Sequence, residues 1–431
     1  MLHTDTPPVS TLDRTVGMLR FATAGSVDDG KSTLVGRLLH DSKAVLADTL
    51  ESVRRASRSR GSDDIELALI TDGLRAEREQ GITIDVAYRY FTTPRRKFVL
   101  ADTPGHVQYT RNMVTGASTA ELVVLLVDAR KGVVEQTRRH LAVAALLGIR
   151  HLVLAVNKMD LVGFNESVFR GIAADFASAA EALGISDHTV IPVSALRGDN
   201  VVEKSAEMPW YTGPTLLEHL ETVDVDLDQA GQPVRFPVQY VIRASEYRGY
   251  AGQLASGILR VDDDVVVLPV GLRSRVAAID TFDGPLTEAA APRSITVRLY
   301  DELDIGRGDL LVTPGAEPTV TREFAATICQ LAERPLRVGD RLLVKHTTRV
   351  VKGVIDAITY RLDIATLRKE KADGELVLND IGGVRLRVAA PLAVDDYATD
   401  RLTGAFLLID EQDGATLAAG LVGDPLESRT G

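Results

Sequence analysis

The sequence is poor in cysteine and in long apolar segments. Its 431 residues include one cysteine, Cys329, so an intramolecular disulfide and a cysteine-rich metal site are excluded. Within the strand-like segment 324–331, this cysteine is predicted to be a small buried core residue. The N-terminus is polar, and no apolar segment approaches the roughly 20 residues that a bilayer span needs. These absences predict a soluble, cytoplasmic protein with no membrane partner.

Positive charge is also scarce. The chain has 49 Lys and Arg against 60 Asp and Glu, which gives a formal net charge of −11. Nonspecific nucleic-acid binding depends on neutralising phosphates with Lys and Arg, so this balance argues against a nucleic-acid partner. The hydrophobic content of 45% is ordinary for a protein that buries sizeable cores. The length predicts two or three domains.

Two different patterns follow one another along the chain. Up to about residue 223, apolar strands alternate with helical segments such as 132–148, which predicts a mostly parallel sheet with helices on both faces. Beyond it, short β-branched segments such as 253–259 are separated by Gly and Asp and predict small antiparallel barrels. The second pattern alone predicts an all-β region of two domains.

Residues 25–32 read Gly-Ser-Val-Asp-Asp-Gly-Lys-Ser and form a complete G-x-x-x-x-G-K-[ST] phosphate-binding loop. An apolar segment precedes it and a helical pattern follows, as the motif requires. Glycines let successive N–H groups point at phosphate oxygens, and the helix N-terminus adds positive potential. Lys31 is predicted to reach the β- and γ-phosphates, and the Ser32 hydroxyl to ligate Mg²⁺. The residues predicted to bind phosphate here are Gly25, Ser26, Val27, Asp28, Asp29, Gly30, Lys31, Ser32 and Thr33.

Two later motifs predict that the base is guanine. Asn157-Lys158-Met159-Asp160 follows the apolar segment 151–156. The Asp160 carboxylate is placed to accept from N1–H and N2–H of guanine, where adenine has no donors. Each such hydrogen bond contributes about 1.5–3 kcal/mol. Ser194-Ala195-Leu196, after the apolar segment 189–193, fits the loop whose backbone N–H meets guanine O6.

Further elements predict hydrolysis as well as binding. The run Asp102-Thr103-Pro104-Gly105-His106 follows the strand-like segment 97–101. Asp102 is predicted to hold Mg²⁺ through water, the Gly105 N–H to contact the γ-phosphate, and His106 to orient the attacking water. Thr83, in Gly81-Ile82-Thr83, is predicted to close over Mg²⁺ and the γ-phosphate. The sequence thus predicts GTP, GDP and Mg²⁺ as ligands, with catalytic residues His106, Thr83 and Lys31 and metal ligands Ser32, Thr83 and Asp102.

At these residues the chain resembles the elongation-factor-Tu-like superfamily of translational-type GTPases, but Asp29 replaces the histidine of the translation factors. The segments 77–91, 108–113 and 208–218 closely resemble the large, GTP-hydrolysing subunit of bacterial sulfate adenylyltransferase. So do the later segments 235–241 and 248–252. One departure is Val107, where that family's pattern has an acidic residue.

The resemblance implies an α/β P-loop GTPase domain followed by two all-β barrel domains. The expected organisation is a flexible N-terminal arm (1–16), a GTP-binding domain (17–224), a linker (225–233), β-barrel domain II (234–317) and β-barrel domain III (320–425).

The resemblance also implies a function. Family members help form adenosine 5′-phosphosulfate and pyrophosphate from ATP and sulfate, an uphill nucleotidyltransferase step in sulfate assimilation that GTP hydrolysis drives. The chain has no S-G-G-x-D-S motif and no second phosphate-binding loop. The adenylylating site is therefore expected in a small partner subunit of the ATP-pyrophosphatase class, bound as a heterodimer or larger assembly. Two alternatives stay open: a translation-factor GTPase that delivers aminoacyl-tRNA, and a non-enzymatic GTP-sensing scaffold.

Overall fold

The structure is a computed structural model. It describes residues 17–43, 51, 53–55, 67–70, 86–104, 110–225, 230–244 and 247–426. The chain divides into two compact units. The first comprises Met1–Glu181 and Ile185–Val225, and the second comprises Asp226–Gly431 with Ala182–Gly184. The predicted N-terminal arm and residues 226–229 of the predicted linker lie outside the described residues.

The first unit is built on a mostly parallel sheet. Its strands, within the described ranges, are β1 (Met18–Gly25), β2 (Ala87–Thr92), β3 (Lys97–Asp102), β4 (Leu122–Asp128), β5 (His151–Asn157) and β6 (His188–Pro192). They are ordered β2-β3-β1-β4-β5-β6, with β2 antiparallel to β3 and the other neighbours parallel. Every residue of β4 is buried, as expected for a central strand covered on both faces.

Helices connect these strands. Those with described bounds are α1 (Lys31–Asp41), α2 (Thr110–Ala117), α3 (Glu135–Leu146), α4 (Glu166–Ala182) and α5 (Leu216–Thr222), with 3-10 turns at Leu67–Ile70 and Met159–Val162. The sequence predicted a helix from residue 132, but α3 begins three residues later because Gly132 has a φ of +68° and belongs to a turn. A capping box fixes the start of α5: Thr215 accepts from the Glu218 N–H, and the Glu218 carboxylate accepts from the Thr215 N–H.

The strand order brings the sequence motifs to one edge of this sheet. Strands β1, β3, β4, β5 and β6 are parallel, so their carboxyl ends share that edge. The phosphate loop follows β1, Asp102 ends β3, Asn157 ends β5, and Ser194 follows β6 closely. Ligands of open α/β sheets bind at this edge, where the strand order reverses around β1.

The second unit begins with an antiparallel barrel. Its strands are β7 (Arg235–Ala244), β8 (Tyr247–Leu254), β9 (Ile258–Arg260), β10 (Asp264–Leu268), β11 (Leu272–Thr281), β12 (Gly284–Leu286), β13 (Glu288–Ala290), β14 (Arg293–Leu299) and β15 (Leu310–Val312). The order β10-β15-β7-β8-β14-β11 closes because β10 also pairs with β11. The predicted single strand 253–259 is wrong: β8 ends at Leu254 and β9 starts at Ile258. Gly257 lies between them at a φ of +83°, where a Cβ would come within 2.7 Å of the Val234 backbone.

A second antiparallel barrel follows. Its strands are β16 (Thr319–Gln330), β17 (Leu336–Arg337), β18 (Arg341–His346), β19 (Arg349–Asp363), β20 (Arg368–Glu370), β21 (Glu375–Leu376), β22 (Ile381–Val394), β23 (Ala405–Ile409) and β24 (Thr416–Val422). The order β18-β23-β24-β16-β22-β19 closes through pairing of β18 with β19. Cys329 lies on β16 and is 1% exposed, as predicted for a core residue. The fold class predicted from the sequence is therefore confirmed.

A buried ion pair joins the two barrels inside this unit. Arg235 Nε and Nη2 donate to the Asp395 carboxylate at 2.8 and 2.9 Å, and both side chains are more than 90% buried. Thr403 Oγ1 donates to the same carboxylate at 2.6 Å. Residues from both barrels pack beside it in a small apolar cluster of Val266, Leu268, Leu310, Val312 and Ala393. In the part of the chain that the structure describes, no helix is long and apolar enough to cross a membrane.

Candidate functional site

The phosphate-binding loop runs between β1 and α1 and leaves no room for side chains at its two glycines. A Cβ on Gly25 would lie 3.0 Å from Leu126 Cβ, and a Cβ on Gly30 would lie 2.4 Å from Asn157 Nδ2. Gly30 also has a φ of +92°, and Asp28 has a φ of +67°. Gly30 caps α1 without a side-chain acceptor, so the helix starts with backbone donors at the loop, as phosphate binding requires.

Lys31 and Asp102, predicted to bind phosphate and Mg²⁺ respectively, form a buried pair. Lys31 Nζ lies 2.7 Å from Asp102 Oδ1, and both side chains are at least 93% buried. Thr23 Oγ1 donates to the same oxygen at 3.1 Å, while Thr103 Oγ1 donates to the Thr23 carbonyl at 2.6 Å. A phosphate or a cation arriving here would meet a fixed positive and a fixed negative charge. The oxygen donors of Asp102 and Ser32 are of the kind that Mg²⁺ prefers.

Asn157 connects the phosphate loop to the loop after β6. Its Nδ2 donates to the Asp29 carbonyl at 2.8 Å, and its Oδ1 accepts from the Ala195 N–H at 2.9 Å. The side chain is 2% exposed. The structure therefore gives Asn157 a linking role, holding the two loops at a fixed separation.

Lys158 extends that link through a charge cluster that sequence reasoning missed. Its Nζ donates to the Asp28 carbonyl and lies 3.0 Å from Asp128 Oδ2. Arg130 Nη2 donates to Asp128 Oδ2 at 2.6 Å, and Arg130 Nε and N–H donate to Oδ1. Burial opposes ionisation of Asp128, but these hydrogen bonds from Arg130 and Lys158 outweigh it and hold its pKa well below the ordinary value. The signal that could have revealed Asp128 is its place at the end of buried β4.

Asp160 is held in place by the loop after β6. Ser194 Oγ donates to Asp160 Oδ1 at 2.7 Å, and Ser194 is fully buried. The carboxylate thus keeps its other oxygen for a donor such as the guanine N1–H or N2–H. The side chain of Met159, predicted as part of the nucleotide site, is buried in the core, and its N–H donates to the Val193 carbonyl at 3.2 Å.

A second missed residue, Arg37 on α1, reaches the same loop. Its Nε donates to the Ala195 carbonyl at 3.1 Å, and its Nη2 donates to the Leu196 carbonyl. Arg37 and Ala195 are 158 residues apart in sequence. No local pattern signals such a contact.

Two buried ionisable groups lie in or near the phosphate loop. Asp29 Oδ2 accepts from the Ser26 N–H at 2.8 Å, yet burial raises the pKa of Asp29 to about 6. On α3, His140 Nε2 lies 2.8 Å from Gln136 Nε2. Burial, with a smaller contribution from the charges of Arg139 and Lys31, lowers the pKa of His140 to about 3. Asp29 thus holds a proton more tightly than usual, while His140 is neutral.

An aromatic cluster supports the turn that carries Asp160. Trp210 Nε1 donates to the Phe164 carbonyl at 3.1 Å, and the Trp210 ring packs against Phe169 at 5.3 Å between ring centroids. The Arg197 guanidinium lies 5.5 Å from the centroid of the Phe164 ring. The turn after β5 and the loop after β6 thus share one packed support.

Most of the predicted nucleotide-binding residues come together at this edge of the sheet. Thr83, Gly105 and His106 lie outside the described residues, so their predicted roles stay predictions. The same holds for Val107 and for residues 77–85 of the resembling segment.

The chain is similar to proteins of known family. The model of the elongation factor Tu GTP binding domain family matches residues 17–228, and the GTP-eEF1A C-terminal domain-like model matches residues 323–423. The bifunctional enzyme CysN/CysC of Mycobacterium tuberculosis is 56% identical over 419 residues, which cover 96% of this chain and 68% of that protein. Sulfate adenylyltransferase subunit 1 of Citrobacter koseri is 52% identical over 95% of this chain and 87% of that protein.

Sulfate adenylyltransferase subunit 1 of Shewanella oneidensis gives a similar result, with 52% identity over 94% of this chain and 85% of that protein. Matches of this length include both the sheet unit and the barrel unit. Together with the phosphate loop, the Asn157–Asp160 motif and the barrels, they decide the family. The chain belongs to the sulfate adenylyltransferase subunit 1 family of elongation-factor-Tu-like GTPases.

Proposed function

We propose that this chain binds and hydrolyses GTP as the large, regulatory subunit of sulfate adenylyltransferase. Hydrolysis would drive the formation of adenosine 5′-phosphosulfate and pyrophosphate from ATP and sulfate. The observation that carries the proposal is the 52% identity, over 94–95% of the chain, to proteins named sulfate adenylyltransferase subunit 1. The alternative of a translation factor that delivers aminoacyl-tRNA is not favoured by these relatives.

Each part of the site has a proposed task. Lys31 and the N-terminal amides of α1 bind the β- and γ-phosphates, and Asp160 selects guanine. Ser32 and Asp102, with Thr83, would hold Mg²⁺, which when bound neutralises phosphate charge. His106 orients the attacking water, whose oxygen bonds to the γ-phosphorus as the bond to the β-phosphate oxygen breaks, leaving GDP and phosphate.

The adenylylating chemistry is assigned to a partner. The words "subunit 1" in the names of the relatives support a second subunit. We propose that it is a small subunit of the ATP-pyrophosphatase class, bound as a heterodimer or larger assembly. A cytoplasmic location stays a prediction from the sequence.

The experiment that tests this proposal combines the purified chain with the small subunit. Alone, the chain is expected to hydrolyse GTP slowly and to form no adenosine 5′-phosphosulfate. With the small subunit, ATP and sulfate, product formation should depend on GTP, and GTP turnover should rise because the partner favours the closed nucleotide-bound state. Sulfate adenylylation by the isolated chain would contradict the proposal, as would tight binding of aminoacyl-tRNA by its GTP form.

The role of His106 is tested in the same assay. His106→Ala should retain GTP binding but lower the hydrolysis rate by about 10²-fold, because the attacking water loses its orienting group. The matched control is His151→Ala, since His151 begins β5 at the end opposite the site. If His106→Ala hydrolysed GTP at the wild-type rate, His106 would not be the catalytic residue, although the proposed GTP binding would still stand.

A further inference from the structure

We infer that Arg37 is a specificity-determining positioning residue: from α1, it fixes the loop that reads the O6 oxygen of guanine. The inference rests on the proposed GTP binding and adds a residue that belongs to none of the sequence motifs. Arg37 is expected to act through the loop and not by touching the nucleotide.

The contacts of Arg37 are directed at backbone oxygens. The guanidinium donates to two consecutive carbonyls, those of Ala195 and Leu196, through Nε and Nη2. Its third nitrogen, Nη1, lies 3.5 Å from Asp41 Oδ1 on the next turn of α1. The Arg37 side chain is 20% exposed, and its bond to the Ala195 carbonyl is partly buried, whereas its bond to the Leu196 carbonyl lies at the surface.

Holding a carbonyl also sets the direction of an amide. In a planar trans peptide the C=O and the following N–H point in opposite directions. By binding the Ala195 carbonyl on the α1 side, Arg37 turns the Leu196 N–H to the opposite side of the loop. The Ala195 N–H is already bonded to Asn157 Oδ1 at 2.9 Å. The Leu196 N–H makes no hydrogen bond to another residue in the described part of the chain, so it is the amide best placed to meet guanine O6.

The site is shaped for arginine. The planar fork of a guanidinium can donate to two neighbouring acceptors at once, whereas a lysine ammonium is a point donor on a flexible stem. Gly198 packs over the fork: a Cβ there would lie 3.7 Å from Arg37 Cδ. Gly198 also has a φ of +92°, so the loop turns back directly after the two bonded carbonyls.

The position of Arg37 on α1 connects the two ends of the nucleotide. The same helix starts with Lys31 and Ser32 of the phosphate loop. A helix is rigid over two turns, so α1 holds the phosphate loop and the O6-reading loop at a fixed distance from each other. Asp160 is held separately, by Ser194 Oγ. Arg37 should therefore govern recognition at O6 without governing recognition at N2.

The test compares three diphosphates that differ at one position of the base. The wild type and Arg37→Ala are each titrated with GDP, 6-thioguanosine diphosphate and IDP. The thio analogue has a weakly accepting sulfur in place of O6, and IDP lacks the 2-amino group. Arg37→Ala should weaken GDP binding about tenfold, the size of one hydrogen bond. The affinity for the thio analogue should fall less than about threefold between the wild type and Arg37→Ala. The ratio of the GDP affinity to the IDP affinity should change less than about twofold.

Two further variants make the result specific. Asp41→Asn removes the ion pair but leaves the guanidinium on the loop, so it should bind all three diphosphates like the wild type. Arg37→Lys should lie between the wild type and Arg37→Ala for GDP, and it serves the same comparison if Arg37→Ala does not fold. Equal losses of affinity for GDP and the thio analogue in Arg37→Ala and Arg37→Lys would overturn the role of Arg37, as would an unchanged GDP affinity in Arg37→Ala. A wild type that does not prefer GDP to ADP would instead overturn the proposed function.

Discussion

Asp160 is bonded to the loop after β6, and we propose that the same carboxylate selects the base. Ser194 Oγ donates to its Oδ1, so an amide at this position keeps an acceptor for that bond. Asp160→Asn should therefore fold, but its Nδ2 would donate where the carboxylate accepted. We expect preference to move from GDP to xanthosine diphosphate, which has an oxygen in place of the 2-amino group, by at least about tenfold.

Isothermal titration with GDP, xanthosine diphosphate and ADP measures this change. The control is Asp175→Asn, an exposed position on α4. If Asp160→Asn still preferred GDP, the carboxylate would not be the group that reads N1–H and N2–H.

Asp29 and His140 give the first unit two opposing pH dependences. Burial raises the pKa of Asp29 to about 6, so the folded state holds an extra proton between about pH 4 and 6 and loses stability as the pH rises through that range. Burial lowers the pKa of His140 to about 3, so in that range the unfolded state holds the extra proton and stability rises with pH. Each effect amounts to about 3 kcal/mol across two pH units, and they nearly cancel.

Asp29→Asn should expose this cancellation. An amide keeps the bond from the Ser26 N–H but does not titrate, so the His140 contribution would act alone. The unfolding free energy of the first unit should then rise from pH 4 to 6 by about 3 kcal/mol more than in the wild type. Amide hydrogen exchange of the β4 and β5 backbone measures it, with Asp175→Asn as the control. Parallel pH profiles for Asp29→Asn and the wild type would contradict the assignment.

At the scale of elements, the sequence predicts what depends on local patterns. The loop–helix junction at Gly30, the Asp102 and Asn157 strand ends and most barrel strands follow from periodicity and motif spacing. The break between β8 and β9 was missed because it depends on close approach of Gly257 to Val234, a tertiary contact. Three further residues were missed from the sequence for a related reason. Arg37 bonds to a loop far away in the sequence, and Asp128 and Arg130, which bond to each other, belong to no motif.

At the scale of the whole molecule, the buried ion pair Arg235–Asp395 connects the two barrels of the second unit. Both groups are more than 90% buried, and the Asp395 carboxylate accepts three hydrogen bonds. Removing one partner leaves a buried charge, so Asp395→Ala should destabilise the second unit by about 3–5 kcal/mol. The double variant Arg235→Met with Asp395→Leu should lose much less than the sum of its single changes.

Urea unfolding of the full chain, analysed as a double-mutant cycle, measures this coupling. The matched control is the exposed cross-strand pair Arg260–Glu288, whose side chains are 53% and 58% exposed, and where Arg260→Ala should cost at most about 1 kcal/mol. Additive effects at Arg235 and Asp395 would mean that the apolar cluster beside them holds the barrels together without the pair.

Trp210 is the one tryptophan among the 431 residues, so it is a built-in fluorescent probe at a single position. Its indole donates a hydrogen bond to the Phe164 carbonyl and packs on Phe169. This aromatic cluster lies against both the turn after β5, which carries Asp160, and the loop after β6, which carries Arg197. Indole emission depends on such hydrogen bonding and packing. The intrinsic fluorescence of the unlabelled chain should therefore report on the proposed guanine-binding end of the site, and stopped-flow traces would time any change there during turnover without an attached dye.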